Sequence, residues 1–103
     1  MPLLVYVTCP DSKVAEDISR KAISERLAAC ANIFPEIVSI YEWEGKVQKD
    51  KEIALILKTQ EKHLNDLTTL IQANHPYDCP CVVGVPLKGG NNEFFDWIKN
   101  QTD

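Results

Sequence analysis

The chain has 103 residues, 45% hydrophobic and 25% charged, with a net charge of −4. That suits one domain, residues 1–103, of a size that buries roughly 60–65% of its unfolded surface. The acidic balance and the lack of a basic patch argue against nucleic acid as a partner. No apolar run approaches the about 20 residues of a membrane span, so no membrane partner is expected either.

The opening MPLLVYVTCPDS has no positively charged lead and only a short apolar run, so it does not read as a signal peptide. Cys9, Cys30, Cys79 and Cys81 are therefore expected as thiols in a reducing compartment, the cytoplasm. Residues 3–8, LLVYVT, predict a strand. Pro10, Asp11 and Ser12 break it, and Asp11 or Ser12 can cap a helix. Ala15, Ile18, Ala22, Ile23 and Leu27 then recur at helical spacing and predict a helix over 12–29, with Cys30 at its end as a small buried residue.

IVSIYEWEG, 37–45, is β-branched and aromatic and predicts a strand, with Pro35 implying an edge, a bulge or a bend. EGKVQKDKE turns the chain around Gly45, and EIALILKT, 52–59, predicts the returning strand of a hairpin. In EKHLNDLTTLIQAN, Leu64, Leu67, Leu70 and Ile71 share one helical face, and His63 falls on the polar side, where exposure is expected. CVVGVPLK, 81–88, predicts the last strand, and NNEFFDWIKN a short helix with Phe94, Trp97 and Ile98 on one side.

This β-α-β-β-α-β order, with a C-terminal helix, predicts an α+β protein: the ferredoxin-like, split βαβ sandwich. Its antiparallel sheet carries both main helices on one face. The other face should then alternate toward polar residues, yet Ile37, Tyr41 and Trp43 oppose Val38 and Ile40, and Val83 and Val85 oppose Val82. Strands apolar on both sides need cover on both, and a second copy of the chain supplies it economically. Tyr41 and Trp43 themselves read as core residues.

HPYDCPC, 75–81, gathers the chemistry. His75, Cys79 and Cys81 are soft metal donors, and Asp78 is a fourth possible one. Copper(I) and zinc favour thiolate and imidazole, provided the donors converge within about 2.0–2.3 Å of the ion. The alternative is a stiff helix-to-strand turn, with Tyr77 and the two prolines packed at a subunit boundary and the thiols partly buried. No serine or cysteine has an identifiable base and orienter, and Gly89–Gly90 lacks the longer glycine pattern of a phosphate loop. The loop TCPDSK lacks the arginine that an acylphosphatase-like site would need. No catalytic residue is expected, and the chain does not read as an enzyme.

VTCPD (7–11), RLAACANI (26–33), YEWEGKV (41–47), EIALILKT (52–59) and NHPYDCP (74–80) succeed one another along nearly the whole chain in the order of the CutA family, the divalent-cation tolerance proteins. The combination of AACAN, YxWEGK and HPY is specific to that resemblance. It implies a ferredoxin-like fold, a tightly packed homotrimer with long strands used between subunits, and a role in tolerance of divalent cations. No cofactor is required; copper or another divalent cation is the ion it implies. In family members with assigned copper sites, the ligands are a cysteine in the first strand and histidines just before Pro-Tyr. The matching positions here are Val7, Asn74 and His75, so only His75 carries over. Cys81 stands where the family usually has an acidic residue. The metal-binding expectation rests on His75, Cys79 and Cys81. The alternative is a trimeric scaffold or small-molecule sensor similar to the PII trimers, with clefts between subunits and metal incidental.

Overall fold

The computed structural model describes residues Met1–Asp103. In chain order it contains β1 (Pro2–Cys9), α1 (Ser12–Ser24), β2 (Cys30–Trp43), β3 (Lys46–Gln60), a 3-10 turn (Glu61–His63), α2 (Leu64–Ala73), β4 (Val82–Pro86) and α3 (Asn92–Thr102). The four strands form one sheet in the order β2-β3-β1-β4, and every neighbouring pair is antiparallel. This is the split βαβ arrangement that the sequence predicts: β3 lies between β1 and β2.

Alternation within β1 sorts its side chains. Leu3, Val5, Val7 and Cys9 are buried, while the residues between them are only partly so. Val5 pairs with Leu57 and Val7 with Leu55, and these pack with Ile18 of α1 and with Leu67 and Ile71 of α2 in one fourteen-residue core. Asp11 caps α1, its carboxylate accepting the Val14 N–H at 2.9 Å.

The predicted helix over 12–29 stops at Ser24. Arg26 adopts φ 59°, a left-handed conformation that helical backbone does not tolerate. The sheet then claims the residues after Arg26. The Thr59 hydroxyl donates to the Leu27 carbonyl at 2.6 Å, and the Ala29 N–H donates to the Lys58 carbonyl at 2.8 Å. Cys30 therefore opens β2 rather than closing α1, and it is half-buried.

The hairpin is also longer than the sequence reading of 37–45 and 52–59. β2 and β3 run to a two-residue turn at Glu44 and Gly45, with φ 51° and 79°, the positive angles that a tight hairpin turn requires. KVQKDK is thus strand, not turn. Pro35 sits in a bulge of edge strand β2, where the register passes from Phe34↔Ala54 to Ile37↔Glu52. Beyond the bulge the hairpin forms an exposed arm: Val38, Ile40 and Val47 are 53%, 68% and 76% exposed.

The second sheet face is not bare at its other end, because α3 lies there. Ile98 is fully buried, Gln60 donates to the Thr102 hydroxyl at 2.8 Å, and the Lys58 ammonium lies 5.5 Å from the centre of the Phe94 ring. His63, expected to be exposed, is half-buried, its Nε2 donating to the Thr102 carbonyl at 2.6 Å. Asp103 accepts from Lys62 at 2.8 Å and from Gln60 at 2.9 Å, and these bonds hold its carboxyl down at about 2. A carboxyl lowered from the usual value near 3.8 stabilises the fold above that value and loses its contribution as pH falls through about 2. Asp103→Asn should therefore melt below wild type at pH 5–7, with the gap closing toward pH 2. No gap at pH 5–7 in thermal melts, or a gap that stays constant down to pH 2, would show that the ionised carboxylate contributes no stability.

Candidate functional site

The bulge decides which side chains the arm presents. Past it, Ile37, Ser39, Tyr41 and Trp43 lie on the same sheet face as Asp50 and Glu52, because Ile37 pairs with Glu52, Ser39 with Asp50 and Tyr41 with Gln48. Thr8 of β1 shares this face through its pairing with Ala54. The segment between α2 and β4 returns across the same region, and a cavity of about 560 Å³ opens between them. Its sheet-side walls are Thr8, Tyr41, Trp43, Asp50 and Glu52. Tyr77, Asp78, Cys79 and Cys81 close the other side.

Two tyrosine–carboxylate bonds organise the cavity. The Tyr77 hydroxyl donates to Glu52 at 2.9 Å, and the Tyr41 hydroxyl donates to Asp50. The Tyr77 phenol is pushed up to about 12, first by burial, then by its bond to Glu52. The Tyr41 phenol is raised chiefly by its bond to Asp50. Burial, then the charge of Glu52, raises the Cys81 thiol, and the same two causes together with Asp11 raise Cys9 to about 11. Glu52 is thus felt by four groups, and the field in the cavity is negative.

The predicted metal donors separate. Cys79 is exposed and Cys81 half-buried, and both line the cavity. His75 does not line it. It is 9% exposed, and both ring nitrogens are used: Nε2 donates to the Thr8 carbonyl at 2.8 Å, and Nδ1 accepts the Tyr77 N–H at 3.2 Å. Its ring also packs against Tyr77, with centroids 4.6 Å apart. His75 therefore pins the 75–81 segment to the end of β1. Across the chain no three His, Cys, Asp or Glu side chains converge as a metal would require. The residues of HPYDCPC, as arranged, do not fit an ion held jointly by His75, Cys79 and Cys81.

Tyr41 and Trp43, expected in the core, are 42% and 62% exposed and form cavity wall instead. Asp50 and Glu52 read in the sequence only as part of a solvated, mixed-charge hairpin tip. The signal was present as two facing alternations, Tyr-x-Trp and Asp-x-Glu, with Lys49 and Lys51 on the opposite face.

A four-stranded 2-3-1-4 antiparallel sheet with α1 and α2 on one face defines a ferredoxin-like α+β protein. Its sequence matches the family model described as CutA1 divalent ion tolerance protein over residues 3–101. The chain belongs to that family. It is 50% identical over 100 residues to the chloroplastic protein CutA 1 of Oryza sativa, covering 97% of this chain and 56% of the rice protein. It is 41% identical over 98 residues to human protein CutA, covering 95% of this chain and 55% of that one. The chain thus spans about half the length of these curated relatives. The solved structure of the divalent cation tolerance protein (Cut A1) from Thermus thermophilus superposes with a TM-score of 0.97 at 40% identity, covering 100% of both chains.

Proposed function

We propose that the protein serves divalent-cation tolerance as a cytoplasmic homotrimer, a PII-like sensor with a ligand cleft on each subunit and no catalytic activity. The observation that carries this reading is the 560 Å³ cavity walled by an exposed hairpin arm. A cavity of this size suits a small molecule. Val38 and Ile40 leave the opposite side of the arm apolar and exposed, which favours burial against further copies of the chain. The cytoplasmic placement rests on four cysteines that are all free thiols. Sedimentation equilibrium tests the assembly: a mass of one subunit at micromolar concentration overturns the trimer.

Soft-ion binding is a second reading, favoured by one observation: Cys79 and Cys81 line the same cavity. Copper(I) titration of the reduced protein should give micromolar or weaker binding that survives His75→Ala and is lost in the Cys79→Ser/Cys81→Ser double variant. Equal losses in the two variants would restore His75 as a ligand. His75→Ala should still cost about 1–3 kcal/mol of stability, because the Thr8 carbonyl and the Tyr77 N–H lose their partner.

A further inference from the structure

We propose that the cavity between the hairpin arm and the 75–81 segment binds a small organic ammonium cation, held by the Tyr41, Trp43 and Tyr77 rings and by the carboxylates of Asp50 and Glu52. The inference deepens the sensor reading above and rests on its premise that this cavity stays open in the assembly.

The walls discriminate among ligand classes. Three carboxylates, Asp50, Glu52 and Asp78, face the cavity, and no lysine or arginine lines it. Lys49 and Lys51 alternate to the other face of the arm, and the one cation on the cavity-side face of the arm, Lys46, stands at the tip opposite Trp43. An anion would meet repulsion and no donor of positive charge. A divalent metal ion needs several oxygen or sulfur donors converging on one point, and no three come together here. Two of the carboxylates are instead held apart on tyrosine hydroxyls, Asp50 on Tyr41 and Glu52 on Tyr77. Aromatic faces interleaved with spaced carboxylates are what an alkylated ammonium requires. Its charge is spread over methyl or methylene groups, so it is weakly hydrated, and ring faces attract it without coordinating it. Trp provides the strongest such face, and Trp43 is 62% exposed in this wall.

Tetramethylammonium is the probe, and tert-butanol, nearly the same size and uncharged, is its control. The readout is the pair of indole N–H resonances in ¹H–¹⁵N spectra at constant ionic strength. Trp43 lines the cavity, whereas Trp97 lies on α3 against Phe94, so the protein carries its own internal reference. Tetramethylammonium should shift the Trp43 resonance in a saturable way and leave Trp97 unmoved. tert-Butanol should bind at least tenfold more weakly. Glu52→Gln keeps an acceptor for the Tyr77 hydroxyl but removes the charge, and it should weaken tetramethylammonium at least fivefold. Trp43→Leu, followed through the backbone amide of residue 43, should weaken it at least tenfold. Equal affinity for tert-butanol, equal shifts at both tryptophans, or unchanged binding in both variants would overturn the inference. Sedimentation of the same samples reports the assembly separately, so an intact trimer that ignores tetramethylammonium sinks this inference alone.

Discussion

Ile40→Asp is expected to abolish the proposed trimer and leave a folded subunit of 11.6 kDa with a lowered melting temperature. Ile40 is 68% exposed and lies outside the fourteen-residue core, so a charge there finds water in the isolated subunit. In an assembly it would be buried without a partner, which costs several kcal/mol. In the proposed trimer the wild-type gain would be large by comparison. If five or six aliphatic or aromatic side chains are hidden per subunit, at about 1.5–3 kcal/mol each, they contribute roughly 8–18 kcal/mol before entropy losses. A domain's whole net stability is about 5–15 kcal/mol. Wild-type melting should therefore rise with protein concentration, and that of Ile40→Asp should not. A trimeric Ile40→Asp protein with the wild-type melting curve would remove the arm from the interface.

Leu55→Ala should act in the opposite manner. Leu55 is fully buried in β3, opposite Val7 on one side and Ile33 on the other. Truncation leaves a cavity between the sheet and the helices and should cost about 2–5 kcal/mol. Its melting temperature should fall by a similar amount at every protein concentration, while the mass of the assembled protein is retained where it remains folded. A loss below about 1 kcal/mol in denaturant melts would mean that the sheet and helices close over the gap, contrary to the tight packing seen around Val5, Val7 and Leu57. Together the two substitutions separate core from interface, a distinction that sequence alone did not make for Ile40.

The legible part of the sequence obeys the physics of burial. Leu67, Leu70 and Ile71 announced α2, because one-sided burial imposes a period on the residues, and short runs of β-formers announced β1, β3 and β4 by composition. Where both sides of a strand meet water, no period survives. The tract KVQKDK looked like a turn for that reason, and only its pairing with Val38–Trp43 makes it a strand. AAC looked helical by propensity, and two hydrogen bonds to β3 override a preference worth only tenths of a kcal/mol per residue. At the candidate site the residue types of HPYDCPC were visible, but their company was not. His75 bonds a carbonyl 67 positions away, and Glu52 meets Tyr77 from 25 positions away. Such partners become legible only once the strand order is known.

The bulge at Pro35 and Glu36 acts as a parity switch. Because it adds one residue to β2 relative to β3, odd-numbered side chains beyond it stand where even-numbered ones stood before: Cys30, Asn32 and Phe34 share a face with Tyr41 and Trp43. Deleting both Pro35 and Glu36, with the base of the hairpin held in register by its buried pairs, would leave the composition of both strands almost intact yet exchange the two sides of the β2 arm. Val38 and Ile40 would then face Glu52 and Asp50, and the aromatic wall would be handed to the subunit boundary. A frame-preserving loss of two codons thus tests at once how far cleft chemistry and assembly depend on counting residues rather than on which residues are present.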